Sequence, residues 1–505
     1  MTRARSLLLF FLLAMAVAPV ARIRLAQARP VQPQATESWR KQSPPALPAR
    51  PFKLPAIKEV RLDNGLVILL CEDRRAPLVT IQAGIPLAPP VVVGPAALAN
   101  YIALAESTAE LMTEGAGART SSEMAREIES LGGRISSSAN EDYAEVSAVV
   151  VSANADRMID LFAEVMLRPA FPQREVALYK SNRVERLTLQ RQEPAFLAEE
   201  MFDKVVYGSH PYSLSVPTPR AVQSVTRSRI ERFYKSSFAP RGSFIVVAGD
   251  FDSSKLETRL RDLFGGWRNP AARRAPRPVQ SKKPVARKIY LIDRPGSEQA
   301  DFLMGWLAVK RTDSDFVALS VANAILGAGT ASRLFLNLRE QKGYTYDVYS
   351  SISALKQAGT FFGASQTRTE VTVEAVKEML AEFDRMANQR VGEQELQNAR
   401  NFLAGQFALS LSTQGGVAGR LLHGRVLGLG PDYLENYRSR VDEVTADRVQ
   451  EVARKYLSIN TAAIVVVGDA RKLATGLRGI GPVELFNTDG RRVQGTKRKK
   501  MSLER

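Results

Sequence analysis

The chain has 505 residues, of which 45% are hydrophobic, and a formal net charge of +18 at pH 7. This length provides for at least two hydrophobic cores, and the polar overall composition excludes an integral membrane protein. The basic residues are concentrated at the N-terminus, in 273–287 and in 491–505, and no nucleic-acid-binding motif is visible, so nucleic acid is not an expected partner.

The first residues have the pattern of a secretory signal. Arg3 and Arg5 precede an apolar run from Leu7 to Val20, and residues 26–28 offer a small-residue cleavage site. We therefore predict a signal peptide at 1–28 and a periplasmic or secreted mature protein, with a retained N-terminal anchor as the alternative. No other stretch of the sequence has an uninterrupted apolar run of spanning length, so we expect no stable membrane span after signal cleavage.

The elements that follow mix hairpins with helices. Residues 29–53 are rich in Pro, Gln, Ser and Ala without periodicity, which predicts a flexible N-terminus. Asp63-Asn64-Gly65 between two alternating runs predicts a hairpin. The pattern then predicts helices at 96–112, 121–131, 156–166 and 174–206 and strands at 134–138 and 143–151, with Thr120 and Glu123 as a capping box. This mixture predicts an α+β fold.

Two features recur at one fixed offset along the chain. Val225-Thr226 and Val444-Thr445 each precede a helical pattern, and Phe244–Asp250 matches Ala463–Asp469, both pairs being 219 positions apart. This repeat predicts two tandem, similar domains. The predicted divisions are a first domain at 54–268, a Pro- and Arg-rich linker at 269–288, a second domain at 289–480 and a basic flexible tail at 481–505.

Three stretches carry a family resemblance. They are Arg61–Leu66, Tyr207–Tyr212 with its His-Pro-Tyr element, and Ile325–Leu334 leading into Leu338–Tyr346. Together they resemble the insulinase and pitrilysin-like zinc peptidases, which include the mitochondrial processing peptidase. The resemblance implies two homologous lobes, each a mostly antiparallel sheet packed by helices, that form one half of a clamshell closing around an unfolded peptide.

The chain departs from the family at the zinc motif. Active members carry H-x-x-E-H on a helix, where two imidazoles one turn apart bind zinc and the glutamate acts as base. At the matching positions this chain has Glu106 and Glu110 instead of histidines and Ala109 instead of the base, and the downstream ligand falls near Glu185 or Arg186. The resemblance therefore implies a degenerate metal site without zinc.

The rest of the sequence does not supply the missing ligands. His210 and His423 are the only histidines, so no two imidazoles lie at helical spacing, and we expect His210 to fix a turn and His423 to lie on a helix. Glu106 and Glu110 are suitable ligands for a hard cation such as calcium, but two carboxylates are too few, and a solvated helix face is the expected alternative.

Arg339 and Tyr346 match a pair that in active relatives reaches toward the bound peptide. An arginine fork and a phenol are suited to holding a peptide carbonyl, so the resemblance implies that both residues bind substrate. The alternative is that Arg339 pairs with Glu340 and Tyr346 fills the core.

These observations predict a non-catalytic, peptide-binding subunit of an exported heterodimeric metallopeptidase. No cofactor is expected in this chain, and zinc is expected in a partner chain of the same family. The alternatives are a scaffolding protein that binds no peptide and a peptidase that uses a non-standard metal site.

Overall fold

The computed structural model describes residues 55–87, 94–269 and 285–493. The predicted signal peptide, the flexible N-terminus and most of the linker lie outside the described residues.

The first lobe, residues 57–264, is built around a six-stranded sheet. Its elements are β1 (Ile57–Arg61), β2 (Val67–Glu72), β3 (Leu78–Pro86), α1 (Pro95–Leu111), α2 (Ser121–Ser130), β4 (Arg134–Ala139), β5 (Tyr143–Val151), α3 (Ala155–Leu167), α4 (Gln173–Gln190), α5 (Pro194–Tyr207), α6 (Pro219–Gln223), α7 (Arg227–Ser237), β6 (Phe244–Gly249) and α8 (Ser253–Phe264). The strand order is β1-β2-β6-β3-β5-β4, and neighbouring strands are antiparallel except β2 and β6.

The second lobe, residues 288–486, contains another six-stranded sheet. Its elements are β7 (Lys288–Asp293), β8 (Gln299–Leu307), α9 (Phe316–Leu326), a π-helix (Phe335–Gln341), β9 (Thr345–Ala354), β10 (Gly359–Arg368), α10 (Thr372–Asn388), α11 (Glu393–Ser410), α12 (Gln414–Val426), α13 (Tyr433–Asp442), α14 (Ala446–Tyr456), β11 (Ala463–Gly468), α15 (Ala470–Arg478) and β12 (Val483–Phe486). The strand order is β12-β7-β11-β8-β10-β9, with parallel pairing only where β7 meets β12 and β11. Within the described residues, no helix has both the length and the apolar character needed to cross a membrane.

The sequence repeat corresponds to a structural repeat. The repeated strands become β6 and β11, which occupy the same position in the two sheets. Thr226 and Thr445 cap α7 and α14 by accepting hydrogen bonds from the backbone N–H groups of Arg229 and Arg448. The predicted α+β fold with two similar, mostly antiparallel sheets is therefore confirmed. The lobes differ at one edge, where β1 is antiparallel to β2 but β12 is parallel to β7.

The first sheet begins with the β1–β2 hairpin. β1 and β2 pair from Ile57 opposite Cys71 to Arg61 opposite Val67, so the predicted hairpin is present. Gly65 has φ 88°, a left-handed conformation that glycine adopts without steric cost.

The central strands are apolar along their whole length because both of their faces are buried. Along β2, Ile68 and Leu70 pack with the helices of the first lobe, whereas Leu69 and Cys71 face the opposite layer. Cys71 is fully buried, as expected for a small hydrophobic side chain, and burial raises its pKa to about 11.

One helix of each lobe packs on the sheet of the other lobe. Helix α5 of the first lobe packs on β8 and β11, with Phe202 and Met201 buried against Leu303 and Val465. Helix α12 of the second lobe packs on β3 and β6 in the first sheet. This exchange means that neither sheet is covered on both faces without the other lobe.

The structure corrects the predicted long helix at 174–206. Two helices, α4 and α5, occupy this stretch, and α5 starts at Pro194. The residue before a proline is disfavoured in the helical region, and Glu193 is accordingly extended, with φ −82° and ψ 121°. The break lets α5 leave the first lobe and reach the second sheet.

The predicted flexible tail at 481–505 is also corrected in part. Residues 483–486 form β12, which pairs in parallel with β7 and buries Phe486. The described chain continues to residue 493, and the remainder of the predicted tail lies outside it.

We expect Phe202→Ala to lower the free energy of unfolding by about 3–5 kcal/mol, because it leaves a cavity between α5 and the second sheet. Leu178→Ala is the control: Leu178 is 52% exposed on α4, and its loss is expected to cost less than about 0.5 kcal/mol. Chemical denaturation of both variants measures the difference. The exchange of helices also predicts a single unfolding transition, so two separate transitions in the unmodified protein would contradict it.

Candidate functional site

The degenerate zinc motif lies on α1, and helix α4 packs beside it. Arg183 on α4 donates from Nε and Nη2 to the two carboxylate oxygens of Glu106, at 3.0 and 3.1 Å. One turn further along α1, Glu110 accepts a hydrogen bond from Arg186 Nη2 at 3.2 Å. The Arg183 and Glu106 side chains are only 8% and 16% exposed, so this inner pair is largely shielded from water.

Burial and ion pairing shift the pKa values of Glu106 and Arg183 in opposite directions. Burial raises the pKa of Glu106, and the Arg183 guanidinium opposes that rise. Burial alone would lower the pKa of Arg183, but its bond to Glu106 raises it. The bidentate geometry is that of a charged guanidinium on a carboxylate, in which both oxygens are already used as acceptors.

The residues at this site do not fit a zinc ion. Zinc sites in proteins are built from His, Cys and carboxylate ligands, and hydrolysis also needs an open position for water. Here both carboxylates are engaged by arginines, and Ala109, which is fully buried, has no group to act as base. In the part of the chain that the structure describes, no three His, Cys, Asp or Glu side chains are grouped to hold a metal ion.

The structure corrects the expectation of a solvated helix face. Glu106 is not solvated but bound to Arg183, a residue that the sequence did not single out. Of the two candidates for the downstream position, both are exposed, and Arg186 is the one that pairs with Glu110. Arg183 is 77 residues from Glu106, and only the packing of α4 on α1 reveals their contact.

A small cavity of about 180 Å³ opens next to the inner pair. It is lined by Tyr101 and Glu106 from α1, by Glu141, and by Tyr212 and Leu214. The Tyr101 hydroxyl is buried and has no hydrogen-bond partner among the described residues. Burial raises the pKa of Glu141, the second carboxyl group in the lining.

The His-Pro-Tyr element links the two lobes. His210 is fully buried, and its Nδ1 accepts a hydrogen bond from the backbone N–H of Tyr212 at 3.1 Å, so it fixes the turn as expected. The Tyr212 hydroxyl donates to Asp142, which also accepts from the backbone N–H of Lys356 in the second lobe at 2.9 Å. Burial lowers the pKa of His210 to about 4.

Arg339 and Tyr346 lie together on the second lobe. The Arg339 guanidinium is stacked between the rings of Phe335 and Tyr346, 4.6 and 4.5 Å from their centroids. Tyr346 is 83% exposed, so the alternative that it fills the core is wrong, whereas Arg339 does form the ion pair with Glu340 that the alternative expects, at 3.7 Å. Arg339 belongs to the π-helix, a distortion that is frequent at functional sites. Peptide binding by these residues remains a prediction.

Comparison with known proteins matches two sequence models of one family. The model described as insulinase (peptidase family M16) matches residues 105–220, and the model described as peptidase M16 inactive domain matches residues 224–403. An uncharacterized zinc protease of Streptomyces coelicolor is 26% identical over 361 residues, which are 70% of this chain and 78% of the relative. A non-peptidase homologue of Helicobacter pylori is 20% identical over 378 residues, which are 74% of this chain and 86% of the relative.

Two crystal structures share the fold. A peptidase M16 inactive domain from Pseudomonas fluorescens superposes with a TM-score of 0.75 at 26% identity, covering 82% of this chain and 98% of the other. A protease from Helicobacter pylori gives the same TM-score of 0.75 at 19% identity, covering 82% and 100%, and shows similarity of fold alone.

We expect Arg183→Met to lower the free energy of unfolding by about 3 kcal/mol, because it leaves Glu106 buried without its partner. Combining it with Glu106→Gln should restore part of this loss, since the buried charge is then gone. Arg186→Met is the matched control; its ion pair with Glu110 is more exposed and should contribute less than about 1 kcal/mol. Equal, small effects of Arg183→Met and Arg186→Met in denaturant titrations would show that the inner pair is not a buried pair.

His210 predicts a pH dependence of stability. Its pKa is lowered from 6.5 to about 4 in the folded chain, so between these values the unfolded state binds more protons and the free energy of unfolding falls as the pH drops. His210→Asn keeps an acceptor for the Tyr212 N–H but does not titrate. Denaturation at pH 4 to 7 should show a smaller loss of stability for the variant, and parallel curves would contradict the assignment.

Proposed function

Because the chain belongs to the insulinase family of peptidases, M16, we propose that it is a non-catalytic member that binds unfolded peptides as the partner of a zinc-bearing chain of the same family. The observation that carries this proposal is that Glu106 and Glu110 on α1 each form an ion pair with an arginine of α4. These ion pairs engage the carboxylates that stand at the zinc-ligand positions, while Tyr346 is exposed and Arg339 is partly exposed beside it.

The names of the relatives do not decide between a catalytic and a non-catalytic function. One relative is named a zinc protease and another a non-peptidase homologue, so the choice for this chain depends on its own side chains. Without a base at Ala109 or free ligands at Glu106 and Glu110, nothing at this site lowers the pKa of a water molecule. This favours the non-catalytic function.

Arg339 supports a function in peptide binding. Stacking between two aromatic rings limits the motion of its guanidinium, which therefore loses little freedom when it binds a ligand. The exposed Tyr346 ring and hydroxyl lie beside it. A guanidinium and a phenol held together in this way suit a peptide carbonyl or an acidic side chain.

In this proposal the zinc and the catalytic base belong to the partner chain. This chain supplies the second half of the peptide chamber, and its Arg339 orients the peptide. We further propose that it acts in the periplasm or outside the cell, which the arginines and apolar run at the N-terminus support.

We expect a mixture of this chain with a zinc-bearing M16 chain from the same genome to cleave a fluorogenic unfolded peptide faster than the zinc-bearing chain alone. Arg339→Ala should lower kcat/KM of the mixture by about 10- to 100-fold, the effect of losing a charged hydrogen bond, without dissociating the pair. Size-exclusion chromatography checks the assembly.

Lys377→Ala is the matched control, because it removes an exposed cation on α10 whose ion-pair partner among the described residues is Glu374 in its own helix. Its rate should equal that of the unmodified mixture. An unchanged rate for Arg339→Ala, together with no saturable peptide binding, would favour a scaffolding function instead.

A further inference from the structure

Arg311 is a buried arginine without a carboxylate partner. It lies between β8 and α9 and is 9% exposed. Its guanidinium stacks on the rings of Phe316 and Tyr433, 3.9 and 4.7 Å from their centroids, and Nη1 donates to the Tyr433 hydroxyl at 2.8 Å. No carboxylate lies within ion-pair distance of Arg311 in the described ranges.

An arginine is always charged, and a buried charge is costly unless it is paired. Two other buried charges follow this rule, since Arg183 binds Glu106 and Asp315 binds both Arg448 and Lys455. The buried Asp142 and Asp301, in contrast, are bound by neutral donors, the Tyr212 hydroxyl and the Gln366 amide. The rings and hydroxyl around Arg311 compensate it only in part, because cation–π contacts are weaker than a charged hydrogen bond pair. Arg311 therefore has the environment of a residue whose counterion is a ligand.

The cavity beside Arg311 has the matching shape and charge. It has a volume of about 410 Å³, and Arg311, Arg420 and His423 contribute its charged or titratable groups. The rest of the lining is mostly apolar and aromatic, including Leu429 and Tyr437, and none of the lining residues is acidic.

A neighbouring cavity of about 580 Å³ is also lined by Arg311 and does contain acids, namely Asp313, Asp432 and Glu443. None of these acids forms an ion pair with Arg311 in the described ranges, and one carboxylate oxygen of Asp313 accepts a hydrogen bond from the backbone N–H of Asp315 at 2.9 Å. The cavity with Arg420 has no acid in its lining.

We propose that this cavity binds an organic carboxylate with an apolar body. The carboxylate bonds to Arg311 and Arg420, and the body packs against Leu429 and Tyr437. Two sources share this chemistry, the C-terminus of a peptide with an apolar last residue and a free aromatic or aliphatic acid. The peptide source extends the proposed function, whereas the free acid does not depend on it.

Isothermal titration of the full chain with four probes tests the site. They are N-acetyl-phenylalanine, its amide, and an unfolded peptide ending in phenylalanine with a free or an amidated C-terminus. We expect each acid to bind at least about tenfold more tightly than its amide, because only the acid forms charged hydrogen bonds with the arginines. If N-acetyl-phenylalanine binds and the peptide acid gains nothing over its amide, the source is the free acid.

Arg420→Ala should weaken binding of the acids by about threefold to tenfold, since Arg420 is exposed and its loss does not disturb the core. Arg311→Met should abolish the preference for acid over amide. Because Arg311 is buried, the thermal unfolding of this variant is measured alongside. Tyr433→Phe is the milder variant, which removes only the hydroxyl that holds Nη1. Arg478→Ala is the control, an exposed arginine on α15 that does not line the cavity, and should leave all affinities unchanged.

Equal affinity for N-acetyl-phenylalanine and its amide, or an Arg420→Ala variant that binds like the unmodified chain, would overturn the proposal. Inorganic phosphate that binds as tightly as the acids would overturn the requirement for an apolar body. Loss of peptide binding in Arg339→Ala, with N-acetyl-phenylalanine still bound, separates this site from the one in the proposed function.

Discussion

The bidentate ion pair between Arg183 and Glu106 determines whether helix α1 can bind a metal ion. The pair is nearly buried, so the guanidinium and the carboxylate depend on each other for compensation of charge. If Glu106 bound a metal ion, Arg183 would stay buried without its partner. The metal cation beside it would then repel its guanidinium. The same positions that hold zinc in active relatives thus become a fixed contact between α1 and α4. Arg186 and Glu110 extend this contact toward the solvent.

The packing of α5 and α12 on the sheets of the opposite lobes connects the lobe that contains this contact with the lobe that contains Arg339. Each sheet is covered by a helix from the other lobe, and the Tyr212–Asp142–Lys356 hydrogen bonds also join the lobes. The lobe with the degenerate metal site and the lobe with the partly exposed Arg339 are therefore held together.

Much of the fold could be predicted from local patterns. The 219-residue repeat, the turn at Gly65 and the Thr120 capping box all appear as expected, because each depends on residues near one another in sequence. Gly249 in the repeat has a simple cause: a Cβ there would lie 2.2 Å from the Leu78 carbonyl oxygen. The break before Pro194 had a local signal too, but the continuous helical pattern on both sides concealed it.

Contacts between distant residues could not be predicted in this way. The sequence shows that imidazoles are missing from α1, but not that Arg183 fills their place, since no spacing rule relates α1 to α4. The sequence pattern places residues 483–486 in a tail because four residues are too few to reveal a strand; the pairing of β12 with β7 supplies the hydrogen bonds.

The inability of this chain to hold a catalytic zinc ion is tested most directly by elemental analysis and peptide hydrolysis of the isolated chain refolded with excess zinc. We predict substoichiometric zinc and no hydrolysis that a chelator abolishes, whereas one zinc per chain with chelator-sensitive cleavage would contradict the degenerate metal site.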